Sequence, residues 1–180
     1  MDLKGKKALF IVASRGFRDE ELIEPKSILE SYGAKCIIAN ETGRESVGML
    51  GKVVDASMTL DKVDVNDYDA IIFVGGSGST VYFTNEKAIS IVKQAKIKGK
   101  VVAAICLATG LLAKAGIVKD KTVTGWSPEA EELLVDAGGK YTGESVEVSG
   151  RMVTGYGPKS AKEFGEKIAR LLTKGNAEED

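Results

Sequence analysis

Short apolar runs alternate with amphipathic stretches along almost the whole chain. The first two runs, Lys7–Ala13 and Lys35–Ala39, read as buried strands. Between them, Asp19 to Tyr32 has helical spacing, with Leu22, Leu29 and Tyr32 on one face and Gly33 as a stop. Pro25 inside this stretch has no N–H to donate, so a kink or a late helix start is expected there. Val47 to Leu60 holds Gly48 and Gly51 among short β-like pieces, a hairpin-like excursion. Ala70–Val74 is a continuous apolar strand left through Gly75-Gly76. A helix over roughly Glu86–Lys98, a strand over Val101–Ile105 and a helix starting near Leu107 follow. Thr122–Thr124 reads as a further short strand and Pro128–Ala137 as a helix. Val146 to Val153 reads as two strands around a Ser-Gly turn, and Lys159–Leu172 closes the chain as an amphipathic helix. Continuous apolar strands alternating with helices need a mostly parallel sheet covered on both faces, so the expected class is α/β. Without a repeat or linker, residues 1–174 are expected to form one domain and 175–180 a flexible acidic tail.

Composition narrows the function classes. The 180 residues carry 25 Lys plus Arg against 26 Asp plus Glu, so no global basic field exists to gather nucleic acid or an anionic membrane. The local run Lys93, Lys96, Lys98 and Lys100 reads as the solvated last turn of a helix, where lysines suit the dipole. Two cysteines, Cys36 and Cys106, do not make a disulfide scaffold in a chain this long, which points to a reducing, cytoplasmic setting. Lys7–Ala13 is too short to be a signal peptide or a membrane span. No histidine is present at all.

Cys106 is the leading chemical candidate. It falls where Val101–Ile105 gives way to a helix, flanked two positions away by Ala104 and Ala108. That is the thiol counterpart of a nucleophile elbow, with alanines for glycines. Free N–H groups and the positive end of the following helix are expected to favour thiolate. Ligands of open α/β sheets bind beyond the carboxyl ends of the strands. Four turns should meet along that edge: Arg15–Glu21, Gly75–Gly78, Cys106-Leu107 and Gly125–Pro128. Gly75, Gly76 and Leu107 would then offer backbone N–H groups as an oxyanion cradle. Equally, the two glycines could merely satisfy a tight turn. Glu20, Glu21 and Glu24 occupy one helical turn, and the residues alone do not single one out. Trp126 suits core or pocket wall, and Cys36 suits a small structural hydrophobe. Leu112 stands where a phosphate-binding loop needs arginine, no Cys-x-x-Cys occurs, and a Cys-His pair is excluded.

The chain resembles the DJ-1/PfpI superfamily in three segments. Phe17-Arg-Asp19-Glu-Glu21-Leu-Ile-Glu-Pro25 matches F-x-D-x-E-L-I-x-P, Gly75-Gly76 matches its Gly-Gly turn, and Ala103-Ala-Ile-Cys106 matches its A-x-I-C elbow. The resemblance runs from about Lys7 to Leu172 and implies a flavodoxin-like three-layer α/β/α sandwich that forms homodimers or homohexamers. It assigns Cys106 as nucleophile and Glu21 as the buried glutamate facing its sulfur, with a pKa raised by burial and by the thiolate. Leu107, Trp126 and Tyr156 stand where members of the superfamily carry histidine or arginine, which leaves Trp126 and Tyr156 to shape the pocket. The expected activity is that of a glyoxalase or deglycase acting on small reactive carbonyls or glycated adducts, without cofactor, metal or nucleic acid. The alternatives are a sensor whose thiol oxidises, an inert-thiol binding protein, and, disfavoured without histidine, a peptidase or amidase.

Overall fold

The computed structural model describes residues 1–175, so the expectation for the acidic tail lies, beyond Gly175, outside the described residues. In chain order the elements begin with β1 (Lys7–Ile11), β2 (Arg15–Phe17), α1 (Asp19–Ser31) and β3 (Lys35–Asn40). A hairpin of β4 (Glu45–Gly48) and β5 (Val53–Asp55) precedes β6 (Met58–Thr59) and β7 (Ala70–Phe73). Then come α2 (Glu86–Ile97), β8 (Val101–Ile105), α3 (Thr109–Lys114), β9 (Thr122–Val123), α4 (Glu129–Asp136) and β10 (Lys140–Tyr141). The chain closes with β11 (Val146–Ser149), β12 (Met152–Gly155) and α5 (Ala161–Thr173).

Seven strands form the central sheet in the order β11-β12-β8-β7-β1-β3-β6. All neighbours pair in parallel except the edge strand β11, which runs antiparallel to β12. The unbroken apolar runs follow from this topology, because successive side chains point to opposite faces and both faces are covered. Ala8, Phe10, Ala70, Ile72, Ala103 and Ile105 pack with Leu22, Leu29, Phe164 and Ile168, beneath α1 and α5. Leu9, Ile11, Ile71, Phe73, Val102 and Ala104 pack with Ile91, Val92, Leu111 and Leu112, beneath α2 and α3. The three-layer sandwich is therefore as the alternation requires.

Three expectations need correction. α1 starts at Asp19 and runs through Pro25 without interruption. The proline is buried against α5, where Gly165 leaves it room: a Cβ at Gly165 would lie 2.9 Å from Pro25 Cα. Packing there outweighs the one hydrogen bond the ring removes. Second, β9 does not join the central sheet; it pairs with β10 in a sheet of two strands. Gly125 and Trp126 therefore do not leave a strand of the main sheet. Third, the turn after Cys106 is a short 3-10 segment, Cys106–Ala108, before the six-residue α3.

Candidate active site

Three consecutive acids at the start of α1 do three different jobs. Asp19, 5 % exposed, accepts the backbone N–H of Leu50 at 3.0 Å and of Lys52 at 2.9 Å, fixing the tip of the β4–β5 hairpin. Glu20 turns outward and takes two hydrogen bonds from the Arg18 guanidinium, at 2.7 Å and 3.2 Å. Both partners are about one-third exposed, so this ion pair fixes position more than it stabilises. Glu21, one residue further round the helix, is fully buried.

Glu21 faces Cys106 across Gly75. A Cβ on Gly75 would overlap Glu21 Oε1 and lie 2.6 Å from the Ile105 carbonyl oxygen and 2.7 Å from Cys106 Cβ. Glycine is thus required here for space. Its carbonyl accepts the Arg18 N–H at 2.9 Å, which ties the start of α1 to the end of β7. Gly76 has both constraints, with φ at +104° and a would-be Cβ 2.7 Å from the Phe17 carbonyl carbon. Its N–H and that of Leu107 point at the Cys106 sulfur and favour the thiolate.

Burial opposes those amides. Removal from water and the Glu21 charge push the Cys106 thiol up to about 12, against the pull of the Leu107 and Gly76 N–H groups. The net direction is opposite to the thiolate-favouring expectation from the helix start. Glu21 is pushed up to about 8, by burial above all, with the Cys106 contact acting the other way. Among the described residues neither Glu21 oxygen has a hydrogen-bond partner meeting ordinary geometry. The polar side chain it faces is the Cys106 thiol. Thiol and carboxyl titrate as one unit. Below about pH 8 the unit holds both protons; above it Glu21 carries the charge, and the thiol beside it keeps its proton.

The backbone of Cys106 is strained. Its φ of 62° lies in the left-handed region, which costs a non-glycine residue on the order of 1–3 kcal/mol. The surrounding core holds it there, since Ile105 is fully buried and the Cys106 carbonyl accepts both the Thr109 hydroxyl (2.9 Å) and the Trp126 N–H (3.3 Å). Of two variants lacking the thiol, Cys106→Gly is expected to unfold at higher urea than Cys106→Ala, by about 1 kcal/mol. Equal midpoints would show that the backbone carries no such strain.

The hydrogen bond from Trp126 explains how a residue outside the central sheet reaches the site. Its indole is 39 % exposed and stands 5.7 Å, centroid to centroid, from the Tyr156 ring at 51°. The two rings, with Arg18, Glu20, Gly157, Pro158 and Lys159, wall a cavity of about 580 Å³. Cys106 and Glu21 lie beside this cavity and do not line it; Cys106 is 8 % exposed. Sequence reasoning named Trp126 and Tyr156 and passed over Lys159, Arg18 and the bracing of the first loop. There Glu41 accepts the Ser14 N–H at 3.0 Å and the Tyr82 hydroxyl at 2.8 Å. Only the isolated polar residues between apolar runs signalled that brace. Cys36 is half-buried and pushed up to about 12 by burial, consistent with a packing role. Among the described residues no cluster of three or more His, Cys, Asp or Glu is placed to hold a metal. No helix there is long and apolar enough to cross a membrane.

A parallel sheet with a cysteine in a strained strand–helix elbow, met by a buried glutamate from the first helix, defines the class. The chain belongs to the DJ-1/PfpI family, whose model matches residues 6–171. It is 42% identical over 177 residues to an uncharacterized protein of Methanocaldococcus jannaschii, covering 97% of this chain and 86% of that one. It is 31% identical over 166 residues to a deglycase of Pyrococcus horikoshii, covering 92% of this chain and 99% of the relative. The crystal structure of a ThiJ/PfpI domain protein from Brachyspira murdochii superposes with a TM-score of 0.92 at 29% identity, over 95% and 98% of the two chains. Drosophila melanogaster DJ-1beta superposes with a TM-score of 0.84 at 28% identity, over 96% and 91%.

Proposed function

We propose that this protein is a cysteine-dependent enzyme of the glyoxalase or deglycase type, acting on small reactive dicarbonyls or their early adducts. The observation that carries this reading is the Glu21 carboxyl, buried without a conventional hydrogen-bond partner and set against the Cys106 thiol. Relatives named deglycases, in Pyrococcus horikoshii and in Thermococcus kodakarensis, support the same direction.

In the proposed reaction the Cys106 sulfur attacks the aldehyde carbon of a dicarbonyl and forms a carbon–sulfur bond. The C=O electrons move to oxygen, where the N–H groups of Gly76 and Leu107 receive the charge. Glu21 as a carboxylate takes the thiol proton and passes it to that oxygen, which completes a hemithioacetal and leaves the carboxylate free again. The carboxylate then removes the proton from the same carbon and delivers it to the neighbouring one, and moves the hydroxyl proton to the neighbouring oxygen, so that the first carbon becomes the carbonyl of a thioester. Water cleaves the resulting thioester, releasing a 2-hydroxy acid and restoring the thiol. With no histidine in the chain, Glu21 carries every proton transfer. Purified wild type should deplete methylglyoxal with formation of lactate, and Cys106→Ser should match the protein-free rate. Equal rates for the two proteins would remove the reading.

The missing histidine favours a second reading, in which the thiol is a sensor rather than a catalyst. The Cys106 thiolate would attack a peroxide oxygen, break the O–O bond and release water or hydroxide, giving sulfenic acid; a second peroxide would give sulfinic acid. The Gly76 and Leu107 N–H groups would hold the added oxygens. Intact-mass measurement after mild peroxide should then place stable oxygen addition on Cys106 and leave Cys36 untouched; equal oxidation of both removes this reading.

A further inference from the structure

A cavity of about 680 Å³ lies at the opposite end of the strands from Cys106. It opens where β8 and β12 begin, at Val102 and Met152. Four residue steps along the chain separate Val102 from Cys106, about 13 Å at the usual strand rise. The cavity belongs to neither the thiol nor its neighbouring aromatic wall.

Its lining is charged with one sign. Lys96, Lys100, Lys121, Arg151 and Lys174 line it, and among the described residues no carboxylate does. The chain as a whole has 25 cations against 26 acids, so this segregation is local. The ion pairs among the described residues join Arg18 to Glu20 and Lys26 to Glu30, far from these lysines in sequence, and none involves Lys96, Lys100, Lys121 or Lys174. Arg151 has a structural task, since its Nη1 donates to the Gly175 carbonyl at 2.9 Å. The ordinary explanation for such lysines is the negative ends of helices. α2 ends at Ile97 and α5 at Thr173, and each contributes about half an elementary charge. With Arg151 set aside, two such ends offset about one charge of the four lysines, which leaves a surplus of about three among the described residues. Besides the lysines, Val102, Ile117, Val148, Met152 and Leu171 supply apolar wall. The volume lies within the range of about 300–1,000 Å³ typical of small-molecule sites.

We propose that this cavity is a second binding site, for a phosphorylated small molecule with an apolar body. The lysines take the phosphate oxygens, each as a mobile point charge with three donors. Val102, Ile117, Val148, Met152 and Leu171 pack against the rest of the ligand. The sequence reading of Lys96 and Lys100 as a merely solvated helix end is thereby extended: both face a cavity that three other segments complete.

Calorimetric titration of the 180-residue protein with ADP, inorganic pyrophosphate and adenosine tests this directly. ADP should bind saturably at one site, more tightly than either fragment, and less tightly as salt rises. Replacing Lys100 and Lys121 together by glutamine should weaken ADP binding about tenfold or more, since charge-assisted contacts to phosphate are lost. The same double variant should melt at the wild-type temperature, and Cys106→Ser should bind ADP as wild type does. Absence of saturable ADP binding overturns the proposal. So does affinity unchanged in the Lys100→Gln, Lys121→Gln variant, or pyrophosphate binding as tightly as ADP.

Discussion

Glu21→Gln is expected to slow dicarbonyl turnover by about a hundredfold to ten-thousandfold, the usual worth of a positioned proton donor and acceptor. Glutamine keeps the shape and the burial of the side chain and removes only its proton. The same variant reports on the thiol. On top of burial, the Glu21 carboxylate raises the Cys106 thiol through its charge and its contact. Iodoacetamide alkylation of Cys106 in the wild type should therefore rise only toward strongly alkaline pH, and the Glu21→Gln midpoint should move downward. An unmoved midpoint would show that the Glu21 charge does not reach the sulfur. Measuring turnover and alkylation on the same preparations distinguishes a lost proton carrier from a misfolded pocket.

The second large effect is on stability against pH. In the unfolded chain Glu21 ionises at its ordinary value of 4.5, whereas in the folded protein it holds its proton to about 8. Between those values the native state binds the extra proton, so stability is complete below the lower value. It falls as pH rises through the window. The loss is on the order of a few kcal/mol, a large part of the margin of an ordinary domain. Urea midpoints of wild type and Glu21→Gln should coincide near pH 5 and separate steadily toward pH 8, with the variant the more stable at the alkaline end. Parallel curves would mean that Glu21 ionises in the folded protein as it does in water. The trade is a common one at reactive sites, where a group useful for chemistry sits in surroundings that oppose its charge.

Much of this architecture was legible along the chain. Val101–Ile105 is five apolar residues long and was read to the residue, because a strand buried on both faces leaves no polar interruption to blur its ends. The β11–β12 hairpin was legible in Ser149-Gly150, and the elbow in the small residues around Cys106. Sheet membership of β9 was not legible: two residues cannot announce which distant strand they will meet, and their partner, Lys140–Tyr141, is equally short. The division of labour among Asp19, Glu20 and Glu21 needed the hairpin and Gly75 to be in place, two contacts made at long range, beside the local pairing of Glu20 with Arg18. The sign of the Cys106 shift was hidden for the same reason, since local sequence shows the helix start but not the depth of burial. The basic cavity drew on residues from 96 to 174, and only one pair of them, Lys96 and Lys100, stood close enough in sequence to be noticed.

The left-handed backbone at Cys106 offers a way to read selection pressure from a library with no substrate in hand. A pool randomised at position 106 and sorted only for resistance to protease should enrich glycine, since that residue alone occupies this conformation without penalty. Sorting the same pool for survival under aldehyde or peroxide stress should return cysteine. The gap between the two enrichment profiles would report how much foldability the cell forgoes to keep sulfur at that corner, and which of the two stresses demands it.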